Sequence, residues 1–80
     1  MSSEWRNPVR IYIGNGSPDI ITGPNQAFEA LNNRWPAEHG PHYDDAKRIC
    51  SMAVAGDISA EIARQVFIAA AAEAAVLHEV

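Results

Sequence analysis

Cys50 is the one thiol in this sequence, and His39, His42 and His78 are its three imidazoles. A cysteine beside a histidine base would make an activated nucleophile. His39 and His42, followed by Asp44 and Asp45, supply enough nitrogen and oxygen donors for a divalent metal. The spacing argues against both chemistries. Gly40-Pro41 separates the two histidines, so they do not share one helical face at four-residue spacing, and His78 lies far off near the end of the sequence. Cys50 falls inside an apolar repeat, where a thiol behaves as a small inert hydrophobe. A single cysteine forms no internal disulfide and no all-thiolate zinc site. Gly14-Asn15-Gly16 resembles the start of a phosphate-cradling loop, but no third glycine or lysine follows and the next segment is strand-like. Asn-Gly is better placed as a hairpin turn. The residues therefore nominate no catalytic, cofactor-binding or metal-ligating group and no cofactor, and they point away from an enzyme without excluding one.

The elements that would position these residues follow from periodicity. Val9, Ile11 and Ile13 alternate with Arg10 and Tyr12 at the period of a half-buried strand. With Asn15-Gly16 as the turn, a hairpin over 8–22 pairs Val9 with Thr22, Arg10 with Ile21 and Ile11 with Ile20. Val9, Ile11, Ile13 and Ile20 would then share the core face, opposite Arg10, Tyr12, Asp19 and Ile21. Thr22-Gly23-Pro24 opens a first helix over 24–34, because proline suits the first helical position, and Trp35-Pro36 closes it. Tyr43, Ala46, Ile49, Cys50, Ala53 and Val54 make the stripe of a second helix over 42–55, stopped by Gly56. Ser59 caps a third helix over 60–77. Its main stripe is Ile62, Ala63, Val66, Phe67, Ala70, Ala74 and Leu77. Its far side carries Ile68, Ala71, Ala72 and Ala75, and a helix apolar on two sides needs two neighbours. The expected fold is α+β: a two-stranded antiparallel β-hairpin followed by three α-helices, as one small domain over 1–80.

Charge and size narrow the function. The chain of 80 residues carries ten acidic and six basic side chains, net −4, with the acidity concentrated after residue 36. Six scattered cations make no phosphate-binding footprint, so nucleic acid is not an expected partner. No stretch approaches the apolar length of a membrane span, and the first residues lack the pattern of a secretion signal, so a soluble cytoplasmic protein is expected. Fourteen of the apolar residues are alanine, leaving a thin core that a second subunit would help to bury. Two surfaces offer themselves to a homodimer: a hairpin edge, or Ile68, Ala71, Ala72 and Ala75 on the third helix. Glu73 lies beside that helix's main stripe and would need a cation there. Arg10 of the hairpin is the expected partner in a buried ion pair.

Trp5 with Pro8-Val9, Ala27 with Leu31, Trp35-Pro36 before Gly40, Ala46 with Cys50, Gly56, and Ala63-Arg64 with Phe67-Ile68 running into Ala72-Glu73-Ala74 form a further pattern. It resembles a small domain family of unknown function from rhizobial-type α-proteobacteria, over nearly the whole chain. The resemblance implies a short bacterial protein and brings no activity, cofactor or catalytic residue with it. The expected role is a small non-catalytic protein-interaction or regulatory module, a homodimer or bound to another protein. The competing expectation is a small-ligand binding protein or minor enzyme with a pocket near Trp35, His39, His42 and Tyr43.

Overall fold

The computed structural model describes residues 4–13, 18–37 and 39–78. Strands β1, Val9–Ile11, and β2, Asp19–Ile21, form an antiparallel pair, followed by helices α1, Pro24–Asn33, α2, Pro41–Val54, and α3, Ala60–Glu73. This is the expected α+β order. The Gly14 to Ser17 turn lies outside the described residues.

The register differs from expectation by one residue: Val9 pairs with Ile21, Arg10 with Ile20 and Ile11 with Asp19. Because strand side chains alternate, that single step exchanges the faces of β2. Ile21 is buried and Ile20 is 47% exposed. Ile21 thereby joins its partner Val9 in the core, and Ile20 shares the outer face with its partner Arg10.

The second departure is at the end of α3, which stops at Glu73 rather than continuing to Leu77. The helix closes with two reversed bonds, Val76 N–H to the Ala71 carbonyl at 2.9 Å and Ala75 N–H to Ala72 at 3.1 Å. Ala75 takes the left-handed conformation at φ 59°. Together these make a Schellman turn. It redirects the chain along the free side of β1, where Tyr12 N–H donates to the Val76 carbonyl (2.8 Å) and His78 N–H to Arg10 (2.9 Å). Leu77 bridges to Ile11. Alanine-rich composition favours continued helix; the hydrogen bonds and apolar contacts on β1 override it. Val76 is buried there.

Helix α2 packs chiefly on α3, α1 packs on α2, and β1 rests on α3. The facing stripes are small. Ala46, Cys50 and Ala53 of α2 and Ala63, Ala70 and Ala71 of α3 are all buried, with Phe67 as the largest fully buried side chain. Trp5 and Trp35 both pack against Phe67, with ring centroids at 5.8 and 5.5 Å. Trp5 also ties the N-terminal segment down, through Nε1–H to the Ala60 carbonyl at 2.8 Å and its backbone N–H to Thr22 at 2.6 Å. Few large side chains thus hold a core otherwise built from alanine.

Helix α2 ends in the same Schellman geometry as α3, with Gly56 at φ 86° in the left-handed position. The two termini differ in the residue placed there. A left-handed alanine costs about 1–2 kcal/mol, while a glycine costs about 0.4–1 kcal/mol in unfolded-chain freedom. Ala75→Gly is therefore expected to raise stability by about 0.5–1 kcal/mol, and Gly56→Ala to lower it by a similar amount, in urea unfolding. A loss at Ala75→Gly would contradict the placement of the α3 terminus.

Candidate functional site

Helix α2 begins without a side chain able to cap it. Gly40 stands at the cap position and Pro41 at the first turn. The amides at a helix start have no partner within the helix. Here they are met from a distance. The Glu73 carboxylate, at the last turn of α3, accepts from Gly40 N–H (3.1 Å) on Oε1 and from His42 N–H (3.2 Å) on Oε2, and Oε1 also shares Tyr43 N–H (3.3 Å) with the Gly40 carbonyl (3.1 Å). His42 Nδ1 lies 2.9 Å from Oε2. A carboxylate at the C-terminus of its own helix is in the unfavourable end of the helix dipole, whereas the N-terminus of α2 is the favourable end. The position of Glu73 thus serves α2 rather than α3.

Partial desolvation opposes the charge on Glu73, but the hydrogen bonds from the His42 side chain and from the His42 and Tyr43 amides outweigh it. They hold the carboxyl below its ordinary range. Gly40 leaves room for the carboxylate. A Cβ there would stand 2.6 Å from Cδ of Glu73 and inside contact distance of its oxygens.

Tyr43 continues the chain of contacts. Its hydroxyl donates to the Leu31 carbonyl at 2.8 Å, in the last turn of α1. His39 stacks on its ring at 3.7 Å between centroids, Trp35 lies at 6.4 Å, and Lys47 Nζ stands 5.7 Å above the ring. The indole Nε1 of Trp35 is buried and lacks a hydrogen-bond partner among the described residues. Trp35, His39, His42 and Tyr43 are therefore brought together, around a carboxylate that the sequence analysis assigned elsewhere. Signals existed for that carboxylate: a helix opening on Gly-Pro lacks its own acceptor, and Glu73 lacked a partner within α3.

The imidazole–carboxylate contact of His42 and Glu73 has the form that orients a general base. A nucleophile does not join it. Cys50 is buried two turns further along α2, and burial pushes its thiol up to about 12, so the reactive thiolate is suppressed. Asp45 is engaged by Arg48 at 3.3 Å. Among the described residues, no three His, Cys, Asp or Glu side chains converge in a metal-holding group.

The other expected site residues are dispersed. Glu73 and Arg10 form no ion pair among the described residues; the backbone amides of α2 occupy the carboxylate, and Arg10 projects outward from β1. Of the third-helix residues, Ala71 is fully buried and Ile68 is half-buried against the hairpin and C-terminal segment. Ala72 and Ala75 are exposed. Of these four, only Ile68 lies beside the hairpin of the same chain, and Ala72 and Ala75 stay open to solvent. No described helix is long and apolar enough to cross a membrane.

Residues 7–78 match the family described as protein of unknown function DUF982. The chain belongs to this family. The DUF982 chain is also similar to the NMR structure of the Agrobacterium tumefaciens protein Atu1219, at 39% identity and a TM-score of 0.79, covering 96% of this chain and 77% of that one. A search of curated proteins finds no match.

Because the carboxyl of Glu73 titrates lower in the folded than in the unfolded DUF982 chain, its contribution to stability is complete above the ordinary value of 4.5 and disappears as pH falls through the folded value. Glu73→Gln is expected to unfold at lower temperature than wild type at neutral pH, with the difference narrowing below 4.5. Gly40→Ala, which displaces the carboxylate, is expected to show the same neutral-pH loss. Thermal scans across pH check both, and a pH-independent difference for Glu73→Gln would count against the charge-based cap.

Proposed function

We propose that this protein is a non-catalytic interaction module of the bacterial cytoplasm whose working surface is the outward face of the hairpin. One observation carries the reading. Tyr12 and Ile20, 42% and 47% exposed, stand on the solvent side of β1 and β2, while the groups able to do chemistry are committed to structure. Glu73 caps α2, Tyr43 closes α1, and Cys50 is sealed in the core. Large apolar side chains grouped on an exposed sheet face mark contact surfaces, and tyrosine with arginine is typical of their centres. A free thiol kept inside the core fits a reducing compartment.

The contact is with another protein rather than a second copy of this chain. Self-association rested on an open strand edge and on the far side of the third helix. The segment through Leu77 covers the outer side of β1. On β2, Thr22 is already bonded to Trp5 and Gln26, and Pro18 carries no N–H, so only the Ile20 backbone is left for an edge contact. The second reading, a small-ligand site, draws support from the clustering of Trp35, His39, His42 and Tyr43.

Tyr12→Ala with Ile20→Glu is the deciding variant. Proteins co-purifying from the native cytoplasm with wild type should be lost with this double variant while its circular dichroism is unchanged. Sedimentation equilibrium of wild type should give the 8.7 kDa monomer. Retention of the same partners by the variant would overturn the reading. A small molecule that stabilises wild type strongly and His42→Ala weakly would transfer support to the ligand site.

A further inference from the structure

Beside that outward face, between β1 and α3, Val9, Ile68 and Leu77 floor a narrow cleft rimmed by Pro8, Arg10, Arg64 and His78. We infer that this cleft docks an acidic segment of a partner protein through one aliphatic side chain, with Arg10 and Arg64 receiving the flanking carboxylates. The inference rests on the interaction-module reading and specifies its partner.

Size selects the occupant first. The cleft holds about 30 Å³, far below the ~300–1,000 Å³ of ordinary small-molecule sites. It accepts the end of a single side chain and is too small to enclose a metabolite. Its floor is aliphatic, so the anchor is aliphatic.

Charge selects the rest. The chain is acidic overall, yet two of its six basic side chains rim this cleft, and no acidic side chain lines it among the described residues. Arg10 is exposed and forms no ion pair among the described residues. Arg64 is held in place: Nε–H donates to the Asn7 carbonyl at 2.7 Å, one terminal nitrogen lies 3.7 Å from Glu61, and its side chain is only 16% exposed. A guanidinium fixed in this way has little conformational freedom left to lose on binding. His78 is fixed too. Its ring packs edge-on to Tyr12 at 4.9 Å, and its backbone N–H is bonded to Arg10. Its buried Nδ1 has no hydrogen-bond partner among the described residues. An apolar socket with one prepositioned guanidinium, a second exposed beside it and an adjoining exposed tyrosine is the arrangement of an interface centre, and the two guanidinium groups complement a carboxylate-bearing partner.

The test is an amide NMR titration of the whole protein with three pentapeptides: acetyl-Asp-Glu-Leu-Glu-Asp-amide, the same peptide with serine at the centre, and acetyl-Lys-Arg-Leu-Arg-Lys-amide. The acidic leucine peptide should move the Val9, Ile68 and His78 amides and the Arg64 side-chain Nε–H. Affinity should fall roughly tenfold in the Arg10→Glu protein and with added salt. The serine and basic peptides should bind more weakly still. Absence of shifts at millimolar peptide, equal binding of the basic peptide, or indifference to Arg10→Glu would overturn the inference. If the peptides fail while Tyr12→Ala with Ile20→Glu still releases a native partner, the acidic occupant falls and the interaction module stands. If both fail, the interaction reading falls as well.

Discussion

The start of α2 poses the constraint that the rest of the structure answers. Its amides open on Gly40-Pro41, and the residue at the cap position has no side chain to receive them. The acceptor comes from the last turn of α3, more than thirty residues later, as the carboxylate of Glu73. This places the N-terminus of one helix against the C-terminus of the next with a charge between them, stabilised by the dipole of the helix it caps. Because α2 and α3 face each other mainly through alanine and Cys50, their packing is close but supplies modest apolar area, and a directional contact at this end adds what the small side chains do not. Tyr43 extends the linkage to α1 through the Leu31 carbonyl. Two side chains thereby join the termini of all three helices.

The opposite side of the molecule is closed by backbone rather than by side chains. A two-stranded hairpin is marginal alone, and here the segment after α3 lies along β1 and accepts and donates across its outer side. Glu73 and this segment are consecutive features of one chain reversal. The helix stops at Glu73, whose carboxylate meets α2, and stopping there delivers Val76 and Leu77 to the hairpin. The reversal requires a left-handed residue and uses Ala75. Stability at the helix ends and closure of the sheet are coupled through those few residues.

Much of this was legible in the sequence. The alternation of Val9 and Ile11, the Gly23-Pro24 and Ser59 helix starts, the Tyr43–Ala46–Cys50–Ala53 stripe and the Gly56 stop are local patterns, and each element forms where its pattern lies. The register of β2 was not legible from the Asn-Gly turn alone, because Ile20 and Ile21 are adjacent and alike, so that either could supply the buried face. The end of α3 was obscured by alanine, which favours helix and gives no stop signal. The role of Glu73 is nonlocal: its partners are backbone amides, which carry no mark in sequence. For the same reason the grouping of Trp35, His39, His42 and Tyr43 could be anticipated, but not the carboxylate among them.

The central claim is that one ionised carboxylate serves three amides of α2 at once. Following the Gly40, His42 and Tyr43 amide proton shifts by NMR as pH is lowered tests it most directly. All three should move together through a common midpoint below 4.5, the ordinary value for the side chain, and that shared transition should vanish in Glu73→Gln. Independent titrations, or a common midpoint at or above 4.5, would contradict the account.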